Sequence, residues 1–534
     1  MKTQTTIPKL RSISKIRVGQ LDLCILASLL FLVWGAIFIW QTSFTAIDGQ
    51  RYFSLFDDAM ISMRYAWNLS HGMGLVWNTG EYVEGYSNLL MTLIMSVATF
   101  LFDKKLAVLA VQLLGIPTIL GIAFLTRQLA KQLKPGNADL GNLAFIGILF
   151  YTPTWYWSLL GGEAGLLTLL VLAGFLCAVR WLKTRGSKDL IFAAIFLGLA
   201  FLTRNESLLL AGLIFGYIGY QLLRSGAKKA DLQPLFYAFL IFALFVVGQL
   251  GFRLWYYDSL VPNTYVLKVT GIPLSLKLIW GWSYVWPFLV QSWPFLLLAL
   301  IGAMQEKARL VLILPIVILL AYQVSVGGDS FSLWRILLPG MPFVFILAAS
   351  MIVETAAWIN EQIQAVPLTL MVLILLFLNL PLQEQVYNSQ GQVIQTVYNQ
   401  HNVNVALGID ELTSPNASIG VIWAGAIPYY VDRRAIDFLG KSDPYIASLP
   451  VDLHMSLVGH NKYDLQYSIR KLQPTYIQDF EWGWENLRPW AIKHYVRANY
   501  ATQYSDITLI LKRDDPSVDW DKATIIPWAE ETSQ

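Results

Sequence analysis

Two adjacent carboxylates, Asp57 and Asp58, open the stretch FDDAMISMRYAWNL. Met60, Met63 and Trp67 recur behind them at helical spacing, so either aspartate stands where an N-cap accepts free backbone N–H groups. One cap takes one carboxylate. A second beside it at a membrane surface is costly unless it meets a cation, a metal or a hydroxyl to deprotonate. The pair therefore reads as a helix cap, as a seat for a cation, a metal or a hydroxyl to deprotonate, or as both at once. Other ionisable groups stand at comparable places. Glu163 in GGEAGLLTLL is either a helix cap or a cavity wall. Arg204 and Glu206 in LTRNESLLL either pair with each other or leave Arg204 to meet a phosphate. In VGGDSFSLWRILLPGMPF, Gly327 and Gly328 permit a tight turn, Asp329 follows, and Arg335 opens the next apolar run. Guanidinium matches phosphate geometry, which makes Arg335 the leading phosphate-binding candidate. Lys268 closes the loop RLWYYDSLVPNTYVLK, whose Trp255, Tyr256 and Tyr257 suit an interfacial belt.

These groups must be positioned by membrane helices. The chain has 534 residues, 56% hydrophobic and 14% charged, with mean hydropathy +0.51. That charged fraction is far below the roughly 25% of soluble domains, so a polytopic membrane protein is expected over residues 1–382, followed by a segment of soluble composition over 383–534. A net charge of +3 with basic residues clustered between apolar runs fits membrane orientation and not nucleic-acid binding. Cys24 and Cys177 both lie inside apolar runs and offer no disulfide framework or thiolate metal site. Lys2, Lys9, Arg11, Lys15 and Arg17 precede a run ending at Trp40 without a small-residue cleavage site, the pattern of a retained signal anchor with a cytoplasmic flank.

Spans are expected to begin near Cys24, Leu106, Leu140, Gly165, Leu190, Leu208, Leu235, Tyr284, Leu310, Ile336 and Pro367, about eleven in all. The basic clusters around Arg127, Arg180, Arg224 and Lys307 then fall in the cytoplasm, provided that residues 88–102 form a short re-entrant or interfacial segment. Asp57, Asp58, Glu163, Arg204, Lys268, Asp329 and Arg335 then share the outer face. Ionisable groups gathered there suggest a reaction chamber at the outer leaflet, within which the loop 43–105 carries the aspartate pair. In the C-terminal segment the runs SIGVIW, RAIDFL, PTYIQDF and DITLILK read as strands of a small α/β domain. Trp482, Trp484 and Trp490 either line a sugar platform or pack onto the membrane domain.

At these residues the sequence resembles bacterial type-C-fold (GT-C) glycosyltransferases, close to the mycobacterial terminal β-(1→2)-arabinofuranosyltransferases. The resemblance runs through DDAMISMRYA from Asp57, NLSHGMGLVWN from Asn68, GEYVEGYSN from Gly80, RLWYYDSLVPNTY from Arg253, and Gly327–Asp329 with Arg335 and Pro342. It continues in AGAIPYY from Ala424, IDFLG from Ile436 and GHNK from Gly459. Gly162, Asn205 and Lys441 depart from the pattern, Lys441 standing where a leucine is expected before Ser442. The resemblance implies a GT-C fold of about 11 to 13 transmembrane helices with a C-terminal α/β domain, and sugar transfer from a polyprenyl-phosphate donor at the outer leaflet. It makes Asp57 the base and gives Asp58 a share in orienting the acceptor or holding a divalent cation; no other cofactor is indicated. Arg335, Lys268 and Arg204 would stabilise the departing phosphate. Arg64, His71, Glu84, Tyr86, Asn88, Asn263 and Asp329 are the further substrate-binding candidates.

The expected protein is thus a multi-pass enzyme of the plasma membrane, with its site and C-terminal domain outside. Its partners would be the lipid bilayer, a polyprenyl-phosphate-linked sugar (arabinofuranose or another glycosyl unit) and a glycan or glycolipid acceptor. In-line attack opposite the phosphate implies inversion at the anomeric carbon. A glycolipid transporter and a non-catalytic cell-envelope assembly partner are the alternatives.

Overall fold

A computed structural model describes residues 20–134, 137–226, 229–359, 365–455, 457–479 and 484–528. The basic flank of the expected anchor and Trp482 lie outside them. The membrane part begins with α1 (Gln20–Gln41), α2 (Asp57–Ser70), α3 (Leu89–Leu101) and α4 (Lys104–Leu133). It continues through α5 (Ala138–Leu149), α6 (Thr152–Leu159), α7 (Ala164–Thr184), α8 (Ser187–Thr203) and α9 (Ser207–Arg224). Then come α10 (Lys229–Tyr257), α11 (Asn263–Val269), α12 (Leu274–Met304), α13 (Leu314–Val326), α14 (Met341–Ile359) and α15 (Ala365–Asn379). A 3₁₀ turn over Arg335–Gly340 leads into α14.

Among the described residues, nine helices are long and apolar enough to cross a membrane. Two of the eleven expected spans are not among them. The run near Leu140 breaks into α5 and α6, almost wholly buried, because Pro153 restarts the helix. Hydropathy reads such internal apolar helices as spans, since core and lipid reward the same side chains. The run near Leu190 forms α8, whose 17 residues rise only about 26 Å, just under the bilayer core. Residues 88–102 give the 13-residue α3, too short to span, with Met91, Met95 and Thr99 buried and Val97 and Phe100 exposed. Its shortness matches the expected length of that segment.

The 30-residue α4 fixes the two ends of the molecule. Lys104 at its start pairs with Asp432 at 2.8 Å, while Lys134 beyond its end pairs with Glu354 at 3.3 Å. Arg309 also reaches Glu354, at 3.4 Å, so two basic clusters distant in sequence share one end. The C-terminal region lies at the other. It contains α16 (Gln383–Val386), α17 (Ile394–Leu412), α18 (Ala426–Tyr430), α19 (Pro444–Ser448) and α20 (Arg488–His494). Its strands follow a two-stranded ribbon of β1 (Phe44–Thr45) and β2 (Arg51–Tyr52) near the start of the chain. They are β3 (Ser418–Val421), β4 (Arg434–Asp437), β5 (Tyr476–Ile477), β6 (Tyr495–Ala501), β7 (Asp506–Lys512) and β8 (Thr524–Ile526). The sheet order is β4-β3-β5-β7-β6-β8, with β3 parallel to β4 and β5 and the other pairings antiparallel. All four expected strands form, and β6 and β8 add to them. The sheet region docks through buried asparagines: Asn399 donates to the Leu55 carbonyl at 2.7 Å, and Asn404 accepts from the Ile47 amide at 2.9 Å.

Candidate active site

Helix α2 begins at Asp57 with Phe56 in extended conformation, and neither aspartate caps it. The expected cap is replaced by a longer-range one. Asp57 Oδ1 accepts from the amide of Ala426 at 3.1 Å, capping α18 of the C-terminal region. Gly425 lies against the Asp57 backbone and carboxyl so closely that any Cβ there would clash. Consecutive helical residues point about 100° apart, so Asp58 faces elsewhere, into a cavity of about 570 Å³.

Around Asp58 the cavity gathers charge. Lys441 Nζ lies 2.6 Å from Asp58 Oδ1, and Arg335 Nη1 lies 3.7 Å from Oδ2. Arg335 is also gripped by Asp329, with Nε 2.6 Å and Nη2 3.3 Å from its carboxylate oxygens. The guanidinium sits 4.5 Å from the Phe331 ring and 5.5 Å from that of Trp157. Gly327 and Gly328 adopt positive φ (94° and 87°), forming the expected turn before Asp329. Leu333 and Trp334 also have positive φ (62° and 40°), an uncommon conformation for such side chains that costs about 1–3 kcal/mol each. The Trp157 indole holds the Leu333 carbonyl at 3.1 Å, fixing that strained segment just ahead of Arg335. Lys268, from α11, also lines the cavity.

Arg204 lines it too, but its guanidinium is taken by both Glu163 and Glu206. Neither the mutual pairing nor the cap reading of the sequence covers this three-residue cluster, because Glu163 and Arg204 lie 41 residues apart. Asn88 and Tyr86 also belong to the polar lining, Asn88 reaching Glu163 at 3.4 Å. The opposite wall is apolar, with Phe201, Leu208, Val246 and Leu250 from α8, α9 and α10.

Five candidates do not line the cavity. Asp57 is turned to α18. Arg64 is a buried staple: it donates to the carbonyls of Trp77 at 2.6 Å and Arg433 at 2.9 Å, to that of Pro428, and to Asn78 Oδ1 at 3.2 Å. Glu84 forms a buried pair with Arg253, with oxygens 2.8 and 3.0 Å from Nε. His71 is exposed at the far end of α2, stacked on Trp67 with centroids 3.8 Å apart. Asn263 donates to the carbonyls of Gly440 and Lys441 at 2.9 and 3.0 Å. Motif membership marks all these positions, but it does not separate residues that hold the site from residues that face it.

The two aspartates differ electrically. Burial pushes the Asp57 carboxyl up to about 6, against the pull of Lys441 and the Ala426 amide. Burial would raise Asp58 as well, but Lys441, Arg335 and Lys268 outweigh it and hold that carboxyl well below the usual range. Between pH 4 and 6 the unfolded chain releases an Asp57 proton that the folded chain keeps, so stability falls with rising pH, by on the order of 3 kcal/mol from this group. Asp57→Asn is expected to flatten that part of the Tm–pH curve of the purified protein. An unchanged slope would mean that Asp57 is not the group responsible. Asp58 acts oppositely: its contribution is present above pH 4 and is lost as pH falls below it.

A divalent cation beside Asp58 does not suit these residues. The carboxylate is bracketed by two cations, and among the described residues no group of three or more His, Cys, Asp or Glu side chains is placed to hold a metal ion.

This arrangement of short and long apolar helices with a sheet region over a charged cavity has counterparts of known structure. ArnT from Cupriavidus metallidurans in the apo state superposes with a TM-score of 0.53 at 12% identity, covering 90% of this chain and 97% of ArnT. ArnT bound to undecaprenyl phosphate gives 0.50 at 11%, covering 91% and 98%. The chain is a polytopic helical membrane protein with the type-C glycosyltransferase fold. In sequence it is similar to a terminal beta-(1->2)-arabinofuranosyltransferase from Corynebacterium glutamicum, 27% identical over 347 residues, 55% of this chain and 47% of that protein. The chain thus spans about half the length of the curated relative it matches. The profile of a family described as a domain of unknown function, DUF8728, matches residues 389–521, which hold most of the sheet.

Proposed function

We propose that this protein is a membrane glycosyltransferase that moves a sugar, arabinofuranose or another glycosyl unit, from a polyprenyl-phosphate donor to a hydroxyl of an extracytoplasmic glycan or glycolipid. One observation carries the reading: a single cavity joins the Arg335–Lys268–Lys441 cations to an apolar wall of membrane helices. A polyprenyl-phosphate sugar has the same division, a charged head on an apolar chain, and the undecaprenyl phosphate bound to ArnT is a molecule of that kind. In the reaction the acceptor oxygen bonds to the anomeric carbon as the bond from that carbon to the phosphate oxygen breaks. The phosphate leaves with the electron pair, towards the cations, and a carboxylate takes the hydroxyl proton. We assign that proton to Asp58; its position on the cavity wall, where Asp57 is absent, supports the choice. Attack from the side opposite the phosphate inverts the anomeric centre. The cavity and the sheet region would face outward from the plasma membrane, opposite the basic clusters.

Arg335→Met tests the donor site. The purified variant is expected to bind undecaprenyl phosphate roughly 10- to 100-fold more weakly than the wild type, with Arg335→Lys in between, because lysine keeps the charge and loses the fork. Equal affinity in wild type and Arg335→Met would remove the phosphate from this end of the cavity.

A further inference from the structure

The C-terminal region supplies two cavity residues, Val458 and the charged Lys441, that neither the aspartate motif nor the membrane helices account for. Lys441 buries its ammonium against Asp58. Its backbone is fixed from two sides. Asp437 accepts from the amides of Leu439, Gly440 and Ser442 at 3.0, 3.1 and 2.7 Å, so one buried carboxylate shapes the turn. Asn263, at the start of α11, holds the Gly440 and Lys441 carbonyls, and the same short helix carries Lys268. A lysine projected from so constrained a turn is not a solvated surface group.

Arg335, Lys268 and Lys441 share this end of the cavity with Asp58 and Asp329, and Arg335 engages both; Glu163 also acts on Arg335, while it is ion-paired to Arg204. Among the described residues Lys268 has no carboxylate within ion-pair distance and no hydrogen-bond partner. Its stem lies against Gly459 of the C-terminal region, where a Cβ would sit 3.0 Å from Lys268 Cε. Lys268 is thus a half-buried cavity cation with no carboxylate at ion-pair distance, and an anion entering the cavity would meet it.

Resting on the function proposed above, we infer that Lys441 is a ligand of the donor phosphate: with Lys268 and Arg335 it completes an anion seat that the C-terminal region closes. In the empty site Lys441 neutralises Asp58. When the phosphate ester enters, the ammonium turns to its oxygens, and Asp58 regains the basicity that the ion pair suppresses. The sheet region is in this way part of the donor site, and a change within it reaches substrate affinity.

The test is a binding cycle on the full-length protein in detergent, with undecaprenyl phosphate as ligand, comparing wild type, D58N, K441M, K441R and D58N/K441M. Because D58N/K441M removes both halves of the pair, it leaves no orphaned partner from that pair. D58N is expected to bind at least as tightly as wild type, D58N/K441M roughly tenfold or more weakly than D58N, and K441R close to wild type. Equal affinity of D58N and D58N/K441M would overturn the inference, since Lys441 would then only neutralise Asp58, while the proposed function would stand. A wild type that does not bind undecaprenyl phosphate would sink both. Phosphatidylglycerol serves as a second arm: an equal loss there on removing Lys441 would assign the lysine to bulk lipid headgroups and overturn its donor role.

Discussion

Asp58→Asn is expected to lower kcat for sugar transfer by about 10²- to 10⁴-fold, the range a positioned general base supplies, without raising KM for the donor. The split follows from the site's charges. Asp58 is the anion paired with Lys441 and lies 3.7 Å from Arg335, which Asp329 still holds, so its neutral replacement frees Lys441 for the phosphate while removing the proton acceptor. Asp57→Asn is expected to be the milder change, because an asparagine oxygen still accepts from the Ala426 amide and the side chain stays outside the cavity. Steady-state rates of the two variants with one donor separate the assignments. If Asp57→Asn loses transfer and Asp58→Asn keeps it, the base is the residue that motif resemblance indicates, and the geometry here has been misread.

Arg64→Met is expected to be the most damaging change outside the cavity. The guanidinium satisfies the carbonyls of Trp77, Pro428 and Arg433 together, joining α2 to the chain on either side of Asp432. Methionine fills some of the volume but donates nothing, and each orphaned buried carbonyl costs about 1–3 kcal/mol, so a loss on the order of 3–5 kcal/mol follows. Because those contacts also seat α18 over Asp57, the C-terminal region should loosen first. The expected results are a large fall in Tm and faster proteolytic release of the C-terminal region, with transfer lost in parallel. An unchanged Tm would show that the staple is dispensable. Arg64 then is a residue through which the site is held together, and its place in the DDAMISMR motif reflects packing.

The sequence signal was strongest where chemistry and spacing were local. Gly327-Gly328-Asp329 and Arg335 lie within nine positions, and the turn and the Asp329–Arg335 grip follow from that short separation. The aspartate pair was legible as a pair, but not the division of labour within it. That division depends on Gly425, more than 350 residues away, coming close enough to engage Asp57. Glu84 and Arg253 are 169 residues apart, and each alone looks like a polar group awaiting a substrate. Lys441 was visible only as a misfit in a family pattern, since a lysine in a loop ordinarily lies in solvent. The apolar runs marked the membrane helices well. They failed at α5 and α6, where hydropathy has no means of telling a protein interior from lipid.

The central claim is transfer from a polyprenyl-phosphate donor. It is tested most directly by incubating the purified full-length protein with a panel of synthetic polyprenyl-phosphate sugars and glycan acceptors, and following products by mass spectrometry. The expected result is a glycosylated acceptor and free polyprenyl phosphate in equal amounts for at least one donor, with both lost in Asp58→Asn. Contradiction would be a protein that binds these donors and releases them intact, with no glycosidic product from any donor in the panel.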